Sequence, residues 1–333
     1  MRTSFTASMA HLATFITVTI IGIATATTAT SAFDPFRNST TARITEPDTG
    51  LAFNALFEQG NYQDTEYYLR QAEAKNSKEP ITYALLAALA YQQEDWNSLK
   101  SYASKTLETA QALVNSGDPL RGNLYLAVGN FLEGGYILAT EGNLQGASQA
   151  LKKLQVVFDY IDTAQKIDPN DPELNLAKGY MDLLLSLHLP FSSSKAAIET
   201  LKNGNPSYLA DRGLAIAYRD LGQHQKALEF VNQALEKTPN NPEVLYLKAQ
   251  ILSALGRKDN NNSQVLGEAR NNFAQALRQP ERLPKRMVAQ IFYEQCKTLN
   301  RLDNQSRACD PLRDQIKENQ GFFGPVAEKM PAL

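Results

Sequence analysis

Histidine, cysteine and tryptophan are scarce: the 333 residues include three His, two Cys and one Trp. Beyond residue 32 the histidines are His188 and His224, and neither has a Cys, His or carboxylate cluster beside it. A metal centre needs several such ligands at short spacing, so none is expected. His224 stands two residues after Gly222, as Tyr62 stands two after Gly60. It is read as a flat side chain packing on a turn. A block of like charge is also missing, and the net charge is −2. That excludes the basic footprint of a nucleic-acid binder and the charge run of a disordered tail. The Gly-rich stretch GNFLEGG at 129–135 lacks the Lys-Ser/Thr of a phosphate loop. No Ser sits in a strand-turn-helix elbow. Nor does any stretch alternate with period two, which argues against a sheet. Neither cofactor nor catalytic residue is expected.

Past the N-terminus no apolar run is long enough for a bilayer, which takes about 20 residues. The start of the chain is different. Arg2 is followed by an apolar, Thr-rich run from Leu12 to Ala26 and by small residues ending at Ala32. This order of basic start, apolar middle and small-residue site is that of a signal peptide. Residues 1–32 are expected to be the leader, cut after Ala32 or, as second choice, Ala29; an uncleaved anchor is the alternative. No Cys lies near the cut, so a lipid anchor is excluded. The rest is expected to be exported to a periplasm or lumenal compartment, with no membrane span. Residues 33–47 are read as a linker.

Internal periodicity is clearest from Tyr208 to Asn241. Leu214, Ala215 and Tyr218, then Gly222, then Ala227, Val231 and Ala234, then Pro239 fall at the intervals of two antiparallel helices. Pro242 to Gly256 and Ala269, Phe273 and Ala276 repeat the pattern, with a polar insertion, KDNNNSQ, between the helices. The small residues mark close helix crossings and the large ones fill space between hairpins. Weaker pairs are read at 53–74 around Gly60, 80–114, 120–166 around Gly142, 172–202 and 285–319. IDPNDPE and TPNNPE punctuate two of the helix ends alike.

The stretch 208–241 resembles the tetratricopeptide repeat, whose period is 34 residues. Asp211 departs from the large apolar residue usual at its position. The resemblance extends to exported bacterial, cyanobacterial-like tetratricopeptide proteins. It implies an all-α, right-handed superhelix (α-solenoid) of about seven hairpins over 48–320, clearest at 208–241 and 242–280. One hairpin cannot bury both faces, so neighbours must stack on it. Residues 321–333 form a C-terminal tail, with Phe322 and Phe323 either capping the stack or lying in its groove.

The family implies a concave surface lined by first helices. Counting from the turns assigns Tyr91, Tyr136, Tyr180, Arg212, Arg219, Tyr246 and Gln250 to it, with Arg212 and Arg219 receiving an acidic group. Tyrosines packed between repeats are the alternative. A protein or peptide partner is the expected ligand, and the oligomeric state stays open. The Lys/Asn/Arg clamp of chaperone-binding members is not found. A carrier of a small or lipidic ligand within the long hairpin at 119–166 is the second reading. A helical-repeat hydrolase is the third. Cys296 and Cys309 flank a turn near Leu302 almost symmetrically, which predicts a disulfide between them in an oxidising compartment.

Overall fold

The computed structural model describes residues 33–188 and 194–333. The leader expected at residues 1–32 and Pro190, read as interrupting a hairpin, lie outside them. All regular elements among the described residues are helical, as an all-α tetratricopeptide-like fold requires. They are α1 (Pro47–Asn54), α2 (Tyr62–Ala74), α3 (Pro80–Gln93), α4 (Trp96–Asn115), α5 (Pro119–Ile167), α6 (Pro172–His188) and α7 (Ser194–Leu201). There follow α8 (Ser207–Asp220), α9 (His224–Lys237), α10 (Pro242–Lys258), α11 (Ser263–Ala276), α12 (Lys285–Asp303) and α13 (Cys309–Lys317). A short π-helical stretch, Ala55–Gln59, closes on Gly60 at φ 77°. An isolated bridge joins Pro284 to Phe323.

The boundaries follow from local chemistry. Pro80, Pro119 and Pro242 stand in first turns, where a missing N–H costs nothing. Side chains of Asp95, Asp118, Asn241 and Asn262 accept the next free amides. Asn260 and Asn261 turn the insertion through φ 48° and 59°, tolerable for asparagine. Gly142, at φ 75° and ψ 172°, breaks α5 into the two arms of the long hairpin. Lys153 on the second arm reaches Asn130 on the first at 3.2 Å.

Residues 33–53 with 66–206 form one compact unit, and 54–65 with 207–333 a second. In the first, Ala84, Ala87, Leu99, Ala103 and Leu132 make a core against which Tyr91, Trp96 and Tyr136 pack. In the second, Ala215, Ala227 and Ala234 are fully buried, as close crossings demand.

Residues 33–47, read as a linker, bury Asp34, Phe36 and Ile44. Gly256 does not end its helix. It lies inside α10, where an added Cβ would come within 2.8 Å of Leu266. The tail is tied down as well. Phe322 sets its ring edge-on to Tyr62 at 6.3 Å, and its carbonyl accepts from the Lys285 amide at 2.9 Å.

Glycine at helix crossings yields a paired prediction. A Cβ on Gly122 would sit 2.8 Å from the Val114 amide nitrogen and 2.9 Å from the Ala110 carbonyl oxygen, both backbone. At Gly135 nothing lies within 4 Å. Gly122→Ala should destabilise by about 1–3 kcal/mol although alanine favours helix. Gly135→Ala should stabilise by about 0.5–1 kcal/mol. Urea melts of both variants check this, and a Gly122→Ala protein as stable as wild type would refute the close crossing.

Candidate functional site

Two sets of polar side chains run across first helices, one in each unit. Both begin from a Pro-Glu pair at a helix start. In the first unit Asp171 caps α6 by accepting from the Leu174 amide, and Glu173 follows in the first turn. The Glu173 carboxylate is buried. It accepts from Tyr125 Oη at 2.6 Å, Arg121 Nε at 3.0 Å and Arg37 Nη1 at 2.7 Å. Arg121 also donates to Glu79 at 2.7 Å, and Arg37 to Asp171 at 2.5 Å. Burial alone would push Glu173 up, but the two guanidinium groups and the phenol outweigh it and hold the carboxyl below its ordinary range. Glu79 has Arg121 alone, and there burial wins and raises it.

In the second unit Asn241 caps α10 and Glu243 follows. Glu243 is buried, accepting from Tyr62 Oη at 3.2 Å and from Arg212. With one guanidinium rather than two, burial dominates and pushes Glu243 up to about 8, against the pull of Arg212 and Tyr62. Further along, Arg219 Nη1 on α8 donates to Gln250 Oε1 on α10 at 2.8 Å. Gln250 Nε2 donates to Glu294 on α12 at 3.1 Å. Glu294 also accepts from Tyr246 Oη at 2.6 Å and Gln290 at 2.8 Å. One polar line thus crosses three successive first helices.

The structure sorts the expected groove residues. Arg219 and Gln250 are half-buried at this line. Arg212 is 7% exposed and committed to Glu243, so it is not an open acceptor of acidic groups. Tyr246 is buried, its hydroxyl on Glu294 and its ring 6.0 Å from Phe273. Tyr91 packs edge-on against Trp96 at 5.7 Å, and burial raises its phenol. Tyr136 rests on the same core with Lys100 Nζ 5.6 Å from its ring centre. Tyr180 is half-buried on α6. Arg212 and Tyr246 are covered for one reason: each bonds a glutamate on the first helix of the next hairpin. Cys296 and Cys309 are joined, with Cα atoms 5.8 Å apart.

Glu173, Glu243 and Glu294 were not foreseen as site residues. The signal for the first two was present in the repeated DPE and NPE. Elsewhere in the first unit a cavity of about 280 Å³ is lined by Phe131, Val157, Phe158, Ile161 and Met181, with the Lys178–Asp182 ion pair at its edge. Among the described residues no group of three or more His, Cys, Asp or Glu is placed to hold a metal.

A family match falls in the second unit. Residues 210–251 match the tetratricopeptide repeat. The match takes in Arg212, Arg219, Glu243 and Gln250. Human Tetratricopeptide repeat protein 7A (Homo sapiens) is 30% identical over 134 residues, 38% of this chain. The chain spans 15% of that relative's length. Asp211, where the repeat usually carries a large apolar residue, is half-buried in α8, and burial raises its carboxyl.

Proposed function

We propose that this protein is an exported interaction scaffold that binds a protein or peptide partner along the first helices of its second unit. The observation that carries the reading is the line Arg219–Gln250–Glu294, which presents polar groups from three consecutive hairpins on one side. Such a surface offers a peptide donors and acceptors at repeated spacing on a stacked support. Arg219 is the residue to test, since Arg212 is structural and its loss would confuse folding with binding. Pull-down from envelope extracts should recover partners with wild type and lose them, by about tenfold or more, with Arg219→Glu. Recovery of the same proteins in the same yield by both chains would overturn the assignment.

Export is supported by the disulfide, a bond that persists in oxidising compartments. No described helix is long and apolar enough to cross a membrane. N-terminal sequencing of the native protein should begin at Phe33.

A second reading, carriage of a small amphiphilic ligand, draws on the cavity between the second arm of α5 and α6. Its volume lies near the lower end of ligand pockets, about 300–1,000 Å³. Val157→Trp would fill it, and a fluorescent fatty-acid probe bound equally by both chains would remove this reading.

A further inference from the structure

Residues 33–44 enclose themselves. The Asp34 carboxylate accepts from four amides of its own segment: Phe36 at 2.8 Å, Arg37 at 3.1 Å, Arg43 at 2.7 Å and Ile44 at 3.2 Å. The segment therefore carries its shape with it. It touches the rest of the first unit at a few defined points. Arg37 enters between Asp171 and Glu173, and Phe36 sets its ring 5.0 Å from Phe53. Asn205 Nδ2 donates to the Phe36 carbonyl at 2.9 Å, and Arg43 pairs with Asp118 at 2.8 Å. Phe33 lies over Gly50 so closely that an added Cβ would fall 2.4 Å from its carbonyl oxygen.

The acidic side chains beneath have partners besides the segment: Glu173 has Arg121 and Tyr125, and Asp171 has its capping bond to Leu174. A buried acidic cleft with its own supports, beside an aromatic shelf at Phe53, suits a guanidinium with an aromatic neighbour. We infer that residues 33–44 are an exchangeable strap, and that the cleft they fill also takes the same segment from a second copy of this chain. Charge complementarity selects the occupant: Asp-Pro-Phe-Arg supplies the cation and the ring at the spacing the cleft accepts. In the resting chain the tethered segment competes at an effective concentration on the order of millimolar, which suppresses exchange.

The test uses a labelled peptide of residues 34–46 and the full chain, read by fluorescence anisotropy. Gly50→Ala displaces Phe33 by contact alone and leaves every charged group in place. The peptide lacks Phe33, so the new methyl does not obstruct it. Arg37→Ala weakens the tethered strap directly. Both variants should bind the peptide at least about tenfold more tightly than wild type. The same peptide carrying alanine in place of Arg37, with Arg43 kept, should lose that gain. Should Arg37→Ala fail to fold, Gly50→Ala carries the test, because the three atoms nearest its methyl all belong to Phe33, at the end of the strap itself. If folded Gly50→Ala binds no more peptide than wild type, or binds the peptide lacking the Arg37 side chain equally, the strap is a fixed part of the fold and the inference falls.

Discussion

Glu173→Gln should lower the stability of the first unit by about 3–5 kcal/mol, the usual result of removing one partner from a buried ion network. The side chain is buried among Arg37 and Arg121, whose own side chains are 6% and 1% exposed. A glutamine keeps the volume and one acceptor but no charge, leaving two buried guanidinium groups against Glu79, Asp171 and Asp34. Glu243→Gln is the control. Burial already holds that carboxyl up to about 8, so a neutral amide resembles its state at pH 7, and the loss there should be about 1 kcal/mol or less. The pH dependences should have opposite signs. Glu173, held low on folding, contributes stability above its ordinary value of 4.5 that is lost as pH falls below it. Glu243, held high, contributes stability below 4.5 that is lost as pH rises toward about 8. Denaturant melts of wild type and the two variants, from well below pH 4.5 up to pH 8 and with unit-specific probes, read both effects. Equal losses at pH 7 would contradict the assignment.

Opening the disulfide should be the second large effect. Cys296 on α12 and Cys309 at the start of α13 are 13 residues apart and buried. Closing a loop of that length stabilises by about 3 kcal/mol in the chain-entropy model. The sulfur is supported locally: Asn300 donates through Nδ2 to Cys309 Sγ at 3.5 Å, and its Oδ1 accepts from the Arg307 amide at 3.1 Å. Cys296→Ser/Cys309→Ser, or wild type in reductant, should therefore unfold at markedly lower denaturant, with the change confined to the second unit. Two free thiols in the non-reduced native protein, or an unchanged midpoint, would remove the bond from the account.

Much of the helical architecture was legible because its determinants are local. Proline at first turns, Asp and Asn caps, and Gly60, Gly142 and Gly222 punctuate the chain within a few residues of the boundaries they set. The disulfide was legible for the same reason, since the turn near Leu302 makes its two ends symmetric. The strap was not. Residues 33–47 carry no periodicity, and their order comes from Asp34 and from ion pairs joining Arg37 to residues 134 and 136 positions away. Side-chain placement on the first helices was legible in part. Helical spacing tells which residues share a face, as it did for Arg219 and Gln250. It does not tell whether the next hairpin covers that face, and so Arg212 and Tyr246 were placed in the open. The two buried glutamates were in view as punctuation, and only their partners, Arg121 with Tyr125 and Arg212 with Tyr62, reveal them as clamps between helices.

The most direct test of the scaffold reading places a photo-activated cross-linker at Gln250, on the first-helix line, and separately at Glu229, exposed on α9. After irradiation in native envelope extract, partner cross-links should form from position 250, disappear when Arg219→Glu is added, and be absent from position 229. Cross-links to the same partner from position 229, or cross-links from position 250 that survive Arg219→Glu, would contradict binding along that line.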